Sequence, residues 1–191
     1  MKLVPLGLTV LRAALGPVVI ALALLEPWRW AFGVCLIAAF LSDVFDGILA
    51  RRWGVATPNL RRLDSFADSV FYLSAVLAVW HLHPQAVTDR WTALLVLATL
   101  EVARYIFDFL KFRREASYHM WSSKLWGIAL FAGFFSLLAL DADNYLVDAA
   151  IYVGVLADVE GLAISLVLRH WQSDVPTLMH AFKIRRRREP A

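Results

Sequence analysis

The chain has a single cysteine in 191 residues, Cys35, which excludes an internal disulfide and any cysteine-ligated metal site. Its apolar neighbours make it a packing residue. A glycine-rich phosphate loop is missing, as is any serine, histidine and aspartate arrangement suited to acyl transfer. His81 and His83 have only Asp89 as a nearby acidic residue and read as structural, while His119, His170 and His180 read as interfacial. Internal repeats, low-complexity segments and long polar linkers are lacking too, so no separate soluble module is expected. Charge is scarce: 19 Lys and Arg against 16 Asp and Glu give +3, too small a bias to suggest a nucleic-acid partner.

What is abundant is apolar surface. Hydrophobic residues make up 60% of the chain, eight residues are tryptophan, and mean hydropathy is +0.62, a membrane composition. Six spanning helices are expected at roughly 5–25, 30–52, 58–80, 91–112, 121–140 and 146–169, each near the ~20 residues needed to cross a bilayer. The first is of spanning length, carries Arg12 and has no convincing small-residue cleavage site, so it reads as a retained helix rather than a signal peptide. Pro27, Pro84 and the 141–144 cluster mark turns.

The expected architecture is an all-α integral membrane bundle over 1–170, followed by a basic tail at 171–191. With a cytoplasmic N-terminus, that side receives Lys2, Arg12, Arg51, Arg52, Arg61, Arg62, Lys111, Arg113, Arg114, Lys124, Arg169, Lys183 and the run from Arg185 to Arg188. The opposite side receives Arg29 and Arg90, so both termini are expected inside. The tail would gain about 1 kcal/mol per basic residue near an anionic membrane surface.

Against this background the carboxylates between 43 and 68 stand out. Acidic groups in spanning helices are costly and face the bundle interior, a partner or a functional site. Asp43, Asp46, Gly47 and Ala50 recur at i, i+3, i+4 and i+7, and so share one helix face with Arg51 on its flank. Leu60, Asp64 and Asp68 share a face of the next helix. Gly54 and Thr57-Pro58 separate the two, with Thr57 placed to cap and Pro58 to begin the second. An antiparallel pair with a rise of about 1.5 Å per residue brings Asp46 level with Asp64 and Asp43 level with Asp68. Four carboxylates at one depth call for cations.

Other charges are expected within the later helices. Arg104 falls at the depth of Glu160, and Glu101 more loosely at that of Asp158, as neutralising pairs or as substrate contacts. Lys124 reads as a snorkelling lysine or a phosphate ligand.

The motif Asp43-x-x-Asp46-Gly47-x-x-Ala50-Arg51, followed after eight residues by position 60 and then Asp64-x-x-x-Asp68, resembles the signature of the CDP-alcohol phosphotransferases. The opening Pro5-x-x-Leu8-Thr9-x-x-Arg12, with Pro17 beyond, is similar to that family's first segment, and Ser123-Lys124-x-Trp126-Gly127 to the start of its fifth helix. The resemblance implies a multi-pass enzyme of the inner membrane, commonly a homodimer, with its active site facing the cytoplasm. Such an enzyme transfers a phosphatidyl group from CDP-diacylglycerol to a small polar alcohol and releases CMP.

Carried over by position, Asp43, Asp46, Asp64 and Asp68 would hold two Mg²⁺ or Mn²⁺ ions, with Asp68 also the base. Gly47, Ala50, Arg51 and Leu60 would line the CDP site. Arg104, Lys111 and Lys124 could recognise an acceptor phosphate, which favours glycerol 3-phosphate or inositol phosphate. Two positions depart from the pattern. Leu60 replaces a glycine on the aspartate side of its helix, and Ser65 replaces the proline of the glycerol-3-phosphate branch. The alternatives are a non-catalytic or altered-donor relative, on account of Leu60, and a cation transporter using the aspartates.

Overall fold

The computed structural model describes residues 3–55, 57–114 and 117–187, all helices and connections with no strand among them. Lys2 and Arg188, both used in the orientation count, lie outside the described residues. The helices are α1 (Leu3–Leu24), α2 (Arg29–Arg52), α3 (Pro58–Leu82), the short α4 (Pro84–Thr88), α5 (Trp91–Phe112), α6 (Trp121–Phe134), α7 (Tyr145–Val167) and α8 (Leu178–Arg187). A π-helical turn, Phe135–Ala139, continues α6. The expected boundaries agree with these to within a few residues. The main additions are α4 and, within the basic tail, α8.

Among the described residues, five segments are long and apolar enough to cross a membrane: Leu3–Leu24, Arg29–Arg52, Arg62–Leu82, Trp121–Ala139 and Tyr145–Val167. The fourth expected span, 91–112, forms a 22-residue helix, α5, but Glu101, Arg104, Asp108 and Lys111 place it outside that set.

The chain divides into two compact units. The first comprises the residues up to Thr88 together with Phe134–Asp143. Here α1 lies against both α2 and α3. Its buried residues Pro5, Thr9, Arg12, Gly16, Val19 and Ala23 recur every three or four positions, which makes one continuous inward stripe. Gly16 permits the closest approach, since a Cβ there would lie 2.8 Å from Ser74 Oγ and 3.2 Å from the Val70 carbonyl oxygen. The α2–α3 connection is tight. Gly54 takes the left-handed conformation (φ 66°) that ends α2, and Thr57 caps α3 by accepting from Leu60 N at 3.2 Å.

The second unit comprises Asp89–Gly133 and the residues from Asn144 onward. Its axis is the α5–α7 pair, and α8 packs on α7. Gly154 accepts the Trp126 ring, whose Nε1 donates to the Ala150 carbonyl at 3.0 Å. Tyr118, Met120, Ile164, Leu168, Val175 and Ala181 form a buried cluster joined by Leu178 and Ile184, which docks one face of α8. The opposite α8 surface exposes Met179, Phe182 and Lys183.

Candidate functional site

All four aspartates of the motif belong to the first unit and converge. Oxygens of Asp43, Asp64 and Asp68 lie within 4.8 Å of one another, close enough for a single cation to touch all three. Asp46 is buried, whereas the side chains of Asp43, Asp64 and Asp68 are 48%, 36% and 35% exposed, so the cluster has one open side.

At its centre stands a residue that the motif does not include. Arg12 of α1 is 1% exposed and reaches every member of the cluster. Its Nη1 donates to Asp43 at 2.8 Å and to Asp68, and its Nη2 donates to Asp64 at 3.0 Å and to Asp46. Its Nε is buried with no hydrogen-bond partner among the described residues. The Thr9 hydroxyl, one turn earlier, lies 3.4 Å from Asp46 Oδ2 and 3.0 Å from the Pro5 carbonyl oxygen.

From the sequence, Arg12 reads as an orientation signal and as part of the opening segment similar to the family's, without a place in the aspartate site. The missed clue was its position among Thr9, Gly16 and Val19 on the inward stripe of an apolar helix, where a guanidinium requires counter-charges.

The remaining motif residues fall beside this cluster on α2 and at the start of α3. A Cβ at Gly47 would lie 3.4 Å from Arg51 Nη1, so the Arg51 guanidinium lies over Gly47, while Ala50 is buried. Leu60 is half-buried in the first turn of α3, its backbone amide taken by the Thr57 cap.

The three basic residues considered for an acceptor belong to the second unit, and each has its own partners. Arg104 Nε lies 3.0 Å from the buried Asp158. This corrects the expected pairing with Glu160, whose carboxylate instead accepts from Leu178 N at 3.2 Å at the start of α8. Lys111 Nζ donates to the Ser165 and Leu166 carbonyls at 2.8 and 3.2 Å, satisfying the C-terminal end of α7. Lys124 Nζ rests 4.3 Å from the centre of the Trp121 ring.

The same unit holds a buried polar chain with no counterpart in the sequence reading. The Ser165 hydroxyl lies 2.8 Å from Tyr118 Oη and hydrogen-bonds Asp108.

Chemically, the first cluster is a hard-oxygen donor set with surplus negative charge. Carboxylate oxygens are hard ligands of the kind that suit Mg²⁺ or Mn²⁺. The unsatisfied Nε is a further sign of fit, because it marks a seat incompletely matched to a guanidinium.

Comparison with known proteins agrees with the motif. A family model described as CDP-alcohol phosphatidyltransferase matches residues 2–169. Curated relatives include the CDP-diacylglycerol–glycerol-3-phosphate 3-phosphatidyltransferases of Sodalis glossinidius, 36% identical over 107 residues, and of Yersinia pestis strain Pestoides F, 39% identical over 107 residues. In both, the match covers 54% of this chain and 54% of the relative. The Yersinia enterocolitica protein of the same name is 40% identical over 84 residues, 42% of this chain and 46% of the relative. The chain thus spans about half the length of the curated relatives it matches. No solved structure gives a significant match.

Proposed function

The chain belongs to the CDP-alcohol phosphatidyltransferase family, a multi-pass membrane family, and from that premise we propose that it transfers a phosphatidyl group from CDP-diacylglycerol to glycerol 3-phosphate, releasing CMP. The convergence of Asp43, Asp46, Asp64 and Asp68 carries this reading. The names of the relatives favour glycerol 3-phosphate over inositol phosphate. In the proposed setting α5 is a sixth span, both termini and the aspartates face the cytoplasm, and the enzyme works as a homodimer in the inner membrane.

The four aspartates would hold one or two Mg²⁺ or Mn²⁺ ions, which when bound supply neutralising charge for the donor's pyrophosphate. Gly47 and Ala50 would line the CDP moiety along α2, and Arg51, whose guanidinium lies over Gly47, offers a planar fork to its phosphates. Asp68 accepts the proton of the acceptor hydroxyl. The acceptor oxygen then bonds to the phosphatidyl phosphorus as that phosphorus parts from CMP, which leaves with the bonding electron pair.

Of the three basic residues of the second unit, Lys124 is the proposed ligand of the acceptor phosphate, since Arg104 is engaged by Asp158 and Lys111 by the Ser165 and Leu166 carbonyls. The Trp121 ring holds the Lys124 ammonium without neutralising it. Leu60, with an isobutyl group where the family pattern has glycine, would narrow the nucleotide side of the site.

The test uses purified full-length protein with Mn²⁺, CDP-diacylglycerol and a panel of acceptors, with Leu60→Gly in parallel, scored for CMP and for lipid product. CMP release dependent on glycerol 3-phosphate, with phosphatidylglycerophosphate formed, is the expected result. Release with a different acceptor would overturn the acceptor assignment, and no release from either protein with any acceptor would overturn the activity.

A further inference from the structure

The position of Arg12 has a consequence for how the aspartate site is filled. One guanidinium donates to four carboxylates that come from two other helices, and it is nearly inaccessible to solvent. Four acids drawn together without a cation would repel one another by several kcal/mol in a medium of low dielectric constant. Arg12 relieves that repulsion. It does so incompletely, since one positive charge faces four negative ones and its Nε is left without an acceptor among the described residues.

The oxygens that Arg12 engages belong to the same carboxylates that would ligate a divalent ion, including all three of the compact set Asp43, Asp64 and Asp68. A dication set among them would lie close to the guanidinium, with like charges at short range. The two cations therefore compete for one seat.

We propose that Arg12 is the resident cation of the metal-free site: it holds the four aspartates together until a divalent ion displaces its guanidinium from part of the cluster. This rests on the metal reading given above, and it assigns Arg12 a positioning role rather than contact with the reacting atoms. An arginine that only braced α1 would make metal binding weaker when removed. A competing arginine makes it tighter.

The experiment compares full-length wild type with Arg12→Met and Arg12→Lys. Mn²⁺ affinity is measured from the electron paramagnetic resonance signal of free Mn²⁺, and melting temperature is measured in EDTA and in Mn²⁺. Arg12→Met is expected to melt lower than wild type in EDTA, to bind Mn²⁺ at least about tenfold more tightly, and to gain more in melting temperature from the metal. Arg12→Lys, with a single ammonium unable to span four acids, is expected to fall between the two. Should Arg12→Met fold only with metal present, Arg12→Lys carries the affinity comparison. Unchanged or weaker Mn²⁺ binding in a folded variant, beside a wild type that binds Mn²⁺, overturns the competition. A wild type that binds no Mn²⁺ overturns the metal site itself, and the role of Arg12 with it.

Discussion

Each unit of this chain buries acidic side chains among apolar helices, and the two solve the problem of charge differently. In the first, four aspartates surround one arginine, a local surplus of three negative charges. In the second, Asp158 has Arg104 beside it, while Asp108 has the hydroxyl of Ser165 with Tyr118 behind it. Lys111 of the same helix as Asp108 adds a second cation to that unit's account. A nearly balanced set is complete within the protein and needs no ligand. A surplus of one sign on a cluster with an open side is incomplete without one. The contrast separates a site from a structural network more sharply than the mere presence of buried charge.

The largest effect should come from the unbalanced cluster. Asp68→Asn keeps the size of the side chain and most of the hydrogen bonding to Arg12 but cannot accept the acceptor's proton. Turnover is expected to fall about 10²- to 10⁴-fold, the usual contribution of a positioned general base. Steady-state kinetics at saturating Mn²⁺, beside a Mn²⁺ titration, provides the check. Native turnover in a folded, metal-loaded Asp68→Asn protein would remove the base from the mechanism. It would also weaken the contrast, since the exposed acid would then be no more functional than the buried ones.

A smaller effect, and of another kind, is expected in the balanced unit. Asp158→Ala leaves the Arg104 guanidinium without its partner across α5 and α7. Loss of one member of a buried pair costs about 3–5 kcal/mol, and Arg104 keeps some solvent access at 23% exposure. A loss of about 2 kcal/mol, read as a lowered midpoint of denaturation, is therefore expected. Mn²⁺ affinity should be unaltered. A changed Mn²⁺ affinity would show that the second unit's charges serve the metal site and are not a self-contained network.

How much of this was legible in the sequence depends on the range of the interaction. The α2–turn–α3 segment was legible because its signals are local. Aspartates at helical spacing, Gly54, Thr57 and Pro58 dictate a tight antiparallel pair, and the four acids meet as expected. Arg12 was not, because its partners lie 31 to 56 positions away, and a lone arginine in an apolar helix reads first as a marker of orientation. The pairing of Arg104 with Asp158 rather than Glu160 was missed for a similar reason. Both acids lie on α7 two positions apart and so face different sides, and only the packing of α5 on α7 at Gly161, where a Cβ would lie 2.9 Å from Arg104 Cδ, decides between them. The helix α8 was hidden by its charge, since the run of arginines conceals the Leu178, Ala181 and Ile184 face that docks on Val175 and Leu168.

The smallest expected effect isolates the second unit by pH rather than by metal. Tyr118, in the connection between α5 and α6, is 3% exposed, and burial is the main cause that pushes its hydroxyl up to about 12 from an ordinary value of 10.0. The folded chain thus keeps this proton at a pH where the unfolded chain has released it. Its contribution to stability is fully present below pH 10 and is lost as pH rises through about 12, because over that interval the unfolded state binds fewer protons than the folded one. Wild type should therefore lose about 2 kcal/mol across this window from Tyr118, at roughly 1.4 kcal/mol per pH unit less an allowance for other groups. Tyr118→Phe should begin about 1 kcal/mol less stable, for want of the hydrogen bond to Ser165, and then decline less steeply. Denaturation midpoints at pH 9, 10 and 11 in both proteins measure the difference in slope. Equal slopes would mean that the hydroxyl ionises as freely in the folded chain as in the unfolded one, and that the Tyr118–Ser165–Asp108 chain is open to water rather than closed.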